Sequence, residues 1–160
     1  MHIKSVKPFW KSLLLVISMT VLNAAAATDA SETFRVAGGV AIYLGVVPAE
    51  IVKGHAAEHE ESKMHDGAPS GRYRNHLVVA LFDRATGQRI EDAQVTASVS
   101  ELGMGLDWNT LEPMRIADTV TYGNYFNMPN TGTYRIHLRI RRPGHAQSIE
   151  TAFTHGHAEQ

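Results

Sequence analysis

Between Tyr134 and Arg141 the chain alternates without a break. Tyr134, Ile136, Leu138 and Ile140 fall on one side, and Arg135, His137, Arg139 and Arg141 on the other. Successive side chains of an extended strand point to opposite faces, so this segment has one apolar and one cationic face as β-structure. The apolar face needs a second layer to cover it, while the cationic face suits water. Pro143-Gly144 ends the run.

The rest of the chain is punctuated in the same way, with short β-rich runs between turn signals spaced at about 8–12 residues. Val40 to Val47 ends at Pro48, and His76 to Phe82 runs into the turn Asp83-Arg84-Ala85-Thr86-Gly87. Ala93 to Val99 sets Val95, Ala97 and Val99 against Gln94, Thr96 and Ser98. Beyond the loop Gly103-Met104-Gly105 come Leu111–Ile116 and Tyr122–Met128, the turn Pro129-Asn130-Thr131-Gly132, and a last run Ser148–Thr154. No long helical periodicity and no internal repeat is present. The expected fold is all-β: an immunoglobulin-like antiparallel β-sandwich of about seven strands over 28–154. Gly54 to Arg72 reads as an irregular His-rich loop, longer than compact domains usually tolerate without a purpose. The segment 155–160 reads as a flexible tail.

The N-terminus follows another logic. Lys4, Lys7 and Lys11 precede or open an apolar run from Leu13 to Leu22, which closes on Ala24-Ala25-Ala26-Ala27. A basic head, a short apolar stretch and small residues at its end make residues 1–27 a secretory signal peptide, with cleavage expected after Ala26 or Ala27. The apolar run is about half of the roughly 20 residues a membrane span needs, so no membrane insertion is expected after cleavage. The expected location is the periplasm.

The whole chain has 160 residues, 15 of them basic, 16 acidic and nine His, with no Cys. Losing three of the 15 basic residues with the leader leaves 12 against 16 acidic ones. That balance is the opposite of a nucleic-acid binder, which clusters basic charge. Without Cys there is no disulfide framework, thiolate zinc site or thiol nucleophile. Any site chemistry must use His, carboxylate, Met or backbone.

Such residues concentrate in His55-Ala56-Ala57-Glu58-His59-Glu60-Glu61-Ser62-Lys63-Met64-His65-Asp66. On a helical turn His55 and His59 would share a face at i,i+4, and Met64 and His65 would add a soft and a borderline donor. The same stretch is equally consistent with a solvated polar loop, since His-rich tracts are compositional signals. His137, among arginines, reads as a surface residue, because neighbouring positive charge disfavours a bound cation. His155 and His157 read as tail. Met114, in Glu112-Pro113-Met114, reads first as core filler. No nucleophile elbow and no phosphate loop is present, and an enzyme is not expected.

Pro113-Met114, Tyr122-Gly123, Met128 and Gly132-Thr133-Tyr134 resemble, in kind and spacing, a family of periplasmic iron-transport accessory proteins that are copper-binding immunoglobulin-like sandwiches. Ile42-Tyr43-Leu44 and Asn75-His76-Leu77 resemble that family's first and metal-bearing strands. The segment His76–Val99 also resembles small YtkA-like and CopC-like exported sandwich domains, in Phe82 to Gly87 followed by Ile90-Glu91-Asp92-Ala93. The resemblance implies a copper site in which His76 and Met114 are ligands. Val78 stands where the family has a Glu, and Thr121 where it has a His before Tyr-Gly. A His and a thioether without carboxylate favour Cu(I) over Fe(II), and His55, His59, Met64 or His65 would complete the coordination.

The expected function is therefore periplasmic binding and delivery of a transition metal, copper first and iron second. Its partners would be the ion and a periplasmic or inner-membrane transport protein, with a homodimer also compatible. The alternative is a metal-free interaction module that presents Arg135, Arg139 and Arg141 to an anionic partner.

Overall fold

The computed structural model describes residues 32–53, 69–101, 107–116, 118–129 and 132–156. The expected signal peptide, residues 1–27, and the loop residues His55, His59, Met64 and His65 lie outside them. Eight strands form the described structure: β1 (Phe34–Ala37), β2 (Val40–Pro48), β3 (Arg74–Asp83), β4 (Gln94–Glu101), β5 (Asn109–Ile116), β6 (Thr119–Asn127), β7 (Thr133–Arg141) and β8 (Ile149–Gly156). One short helix, α1 (Ala49–Lys53), follows β2.

Hydrogen bonding links the strands in the order β1-β2-β3-β6-β5-β4-β7-β8, all neighbouring pairs antiparallel. This continuous sheet folds over on itself at β5. The first half of β5 pairs with β4 (Leu111 opposite Val95), and the second half pairs with β6 (Met114 opposite Thr121). Pro113 stands just past the crossover; lacking an N–H, it is tolerated where a strand changes partners. The outer edges approach again, since the Glu32 amide donates to the Thr154 carbonyl at 2.8 Å. The Glu32 carboxylate in turn accepts from the Thr154 amide at 3.1 Å.

The interior follows the alternation. Tyr134, Ile136, Leu138 and Ile140 of β7 are buried against Ile42 of β2, Leu77, Val79 and Leu81 of β3, and Phe153 of β8. Arg135, Arg139 and Arg141 are exposed on the other face. Tyr122 crosses the core to pin the β3–β4 connection: its hydroxyl accepts from the Ala93 amide at 3.0 Å and donates to the Ile90 carbonyl at 3.2 Å. Burial raises its pKa.

Three details differ from the sequence expectation. The strand count is eight rather than about seven, because β1 was not anticipated. Its burial alternates, but the more exposed positions are the apolar Phe34 and Val36, about half exposed, and Arg35 takes a more buried one, so no hydrophobic pattern marks it. The signal that does exist is Gly38-Gly39, whose φ values of 53° and 75° make the two-residue hairpin turn to β2. Next, β8 continues through His155, opposite Tyr134, to Gly156, so the first two tail residues are ladder. Finally, Pro48 does not hand over directly to a loop. Ala49 and Val52, three apart on α1, are buried against Tyr125 and Val47.

Candidate metal centre

The face of β2, β3 and β6 that points away from the core carries a second buried zone. On β3, Leu77, Val79 and Leu81 point inward, so His76 and Val78 point outward. On β6, Val120, Tyr122 and Phe126 point inward, leaving Thr121, Gly123 and Tyr125 outward. The register sets His76 opposite Tyr125, Val78 opposite Gly123, and Met114 of β5 opposite Thr121. An outward position is normally wet, yet His76 is 0% exposed and Met114 2%.

Gly123 explains how they meet. A β-carbon there would lie 2.6 Å from His76 Nε2 and 2.6 Å from the Met114 methyl carbon, with the Leu77 carbonyl oxygen at 3.1 Å. The ring nitrogen and the thioether end therefore converge over one spot, no farther apart than twice that distance. A strand glycine often marks such a close approach. The His76 ring is held by stacking on Tyr125, with centroids 4.6 Å apart and planes inclined by 23°. Beside Met114, Thr121 Oγ1 is buried with no hydrogen-bond partner among the described residues.

Two of the six sequence-derived candidates, His76 and Met114, are thus brought together; the other four, His55, His59, Met64 and His65, lie outside the described residues. Among the described residues no group of three or more His, Asp or Glu could hold a metal ion. What the site offers is an imidazole and a thioether in a dry setting, a donor pair suited to a soft, low-charge ion. Gly123 and Tyr125 escaped the sequence reading as site residues; Tyr122-Gly123 entered it only through the family resemblance, although a glycine inside a strand is itself a signal of close approach.

Two other described histidines, His137 and His155, lie elsewhere. His137 is half-buried opposite Ser98 and lines a cavity of about 360 Å³ with Trp108, Arg139 and Glu150. Arg139 donates to Glu150 at 2.8 Å and stacks over Trp108 at 4.4 Å. His155 sits in the β7–β8 ladder.

No protein-family model matches the chain, and no curated protein matches its sequence. Solved structures do match its fold. A copper-bound variant of FetP from uropathogenic Escherichia coli superposes with a TM-score of 0.57 at 13% identity, over 79% of this chain and 95% of that one. A copper-bound variant of Campylobacter jejuni P19 gives 0.56 at 12% identity, over 78% and 94%. A DUF4426 family protein from Pseudomonas aeruginosa gives 0.52 at 13% identity, over 80% and 100%. The chain has the β-sandwich fold of these proteins. Among the described residues, no helix is long and apolar enough to cross a membrane.

Proposed function

We propose that the chain is a periplasmic carrier that binds a transition metal ion, copper first and iron second, and passes it to a transport partner. The observation that carries this is the convergence of His76 Nε2 and the Met114 thioether end over Gly123. The shared fold with copper-bound FetP and P19 supports it. A neutral imidazole and a neutral thioether match soft Cu(I), and the single positive charge is the smallest that a copper ion can bring to a buried site. Two protein donors also leave room for a third from a partner, so transfer proceeds by ligand exchange. In this reading His55, His59, Met64 and His65 are supplementary donors, and the protein binds rather than catalyses.

The test is titration of the mature, tag-free protein with Cu(I), Cu(II), Zn(II) and Fe(II), alongside Met114→Leu and His76→Phe. Met114→Leu keeps the buried volume, so tight Cu(I) binding lost in both variants with the fold intact supports the carrier. Unchanged Cu(I) affinity in either variant removes that residue from the site.

The rival interaction module draws on the exposed arginines of β7. It is less favoured because Arg139 is engaged by Glu150 and Trp108, and Arg135 donates to Thr154 at 3.2 Å.

A further inference from the structure

Gly123 has two cross-strand neighbours on the outward face. Val78 of β3 offers no donor, but the other is Glu112 of β5. Directly paired residues share a face, and Glu112 lies two positions before Met114, so Glu112, Met114, Thr121 and Gly123 all project to the same side. We infer that Glu112 supplies a carboxylate oxygen to the site over Gly123, giving it a third donor and allowing it to hold Cu(II) as well as Cu(I). This rests on the His76–Met114 carrier proposed above.

The register is compatible with this role. The β-carbons of paired residues stand about 4.5–5.5 Å apart, a gap that a Glu side chain can span. Glycine at 123 adds no side chain of its own between Glu112 and the His76–Met114 pair. His76 and Met114 are buried, whereas Glu112 is exposed, so the carboxylate stands on the watered side of a dry donor pair.

The chemistry separates the two oxidation states. Cu(I) is satisfied by imidazole and thioether, while Cu(II) is harder and gains from an anionic oxygen. The negative charge also offsets the additional positive charge that Cu(II) brings to the site. Sequence reading passed over Glu112 because a single exposed acid in a strand carries no pattern.

The experiment is parallel titration of the full mature chain with Cu(I) held reduced by a competing chelator and with Cu(II), together with the Cu(II) electron paramagnetic resonance spectrum. Wild type, Glu112→Gln, Met114→Leu and the distant control Glu150→Gln are compared. Glu112→Gln is expected to weaken Cu(II) roughly tenfold or more, alter the copper hyperfine pattern, and leave Cu(I) affinity within about twofold. Met114→Leu is expected to do the reverse, and Glu150→Gln to do neither. Unchanged Cu(II) affinity and spectrum in Glu112→Gln, with Met114-dependent Cu(I) binding intact, overturns the role of Glu112 alone. If wild type binds neither copper ion, the carrier falls and this role with it.

Discussion

Thr121 faces Met114 across the β5–β6 ladder, and its hydroxyl is buried with no hydrogen-bond partner among the described residues. A buried, unpaired hydroxyl carries a desolvation cost of about 1–3 kcal/mol. Thr121→Val, which replaces it with a methyl group, is expected to raise stability by roughly 1 kcal/mol, measured by urea denaturation. Thr121→His should instead place a second imidazole beside Met114 and tighten copper binding. A Val variant less stable than wild type would show that the hydroxyl is already satisfied.

Gly123→Ala puts a methyl group 2.6 Å from His76 Nε2 and 2.6 Å from the Met114 methyl carbon. Overpacking of this kind costs about 1–3 kcal/mol. Calorimetry should show the loss, and copper affinity should fall with it, because the added carbon fills the point of convergence. Retained affinity in a folded Gly123→Ala protein would place the ion elsewhere.

Tyr134 governs the alkaline limit. Its hydroxyl lies 3.1 Å from Glu101 Oε1 and 3.0 Å from the Pro129 carbonyl oxygen. Burial, and then the bond to Glu101, push its pKa up to about 12 from 10.0. The folded state thus favours the neutral phenol, a contribution fully present below pH 10 and lost as pH rises toward 12. That loss is on the order of 2–3 kcal/mol. Tyr134→Phe is expected to be less stable at pH 7 by about 1 kcal/mol, yet to lose less between pH 10 and 12. Parallel pH–stability curves for the two proteins would rule this out.

Glu32 closes the seam between β1 and β8. Its carboxylate accepts from the Arg35 guanidinium at 2.7 Å and from the Thr154 amide at 3.1 Å. The bond from Arg35 holds its pKa below 4.5, so its contribution is present above that pH and fades as pH falls through the lowered value. The pair is substantially exposed, so little global stability rests on it. Glu32→Gln should speed hydrogen exchange at the Thr154 amide while leaving the melting temperature nearly unchanged. A large drop in melting temperature would make the seam part of the cooperative core.

The sandwich was legible wherever a strand has one dry and one wet face. β7 is the clearest case, because its apolar side meets Leu77, Val79 and Phe153 while its arginines meet water. β1 was not legible, since an edge strand of four residues buries too little to leave a pattern. The site was half legible. His76 and Met114 came from spacing shared with a family, not from periodicity, which would have placed Met114 in the main core. Leu111 and Met114 are both buried, but on opposite sides of a strand that changes partner between them. Composition cannot reveal that change, and so it could not suggest Glu112 as the proposed donor.

His76 and Met114 never touch through neighbouring strands: β6 lies between β3 and β5, and all of β4 separates the two residues along the chain. Such long-range pairings form late in folding, after loop-closure entropy has been overcome. An ion held over Gly123 is therefore held by the finished fold and by no fragment of it. On the proposed carrier reading such an ion would protect the folded chain by mass action, and a carrier that unfolds would surrender its cargo. Turnover of the protein and return of the ion would then be a single event.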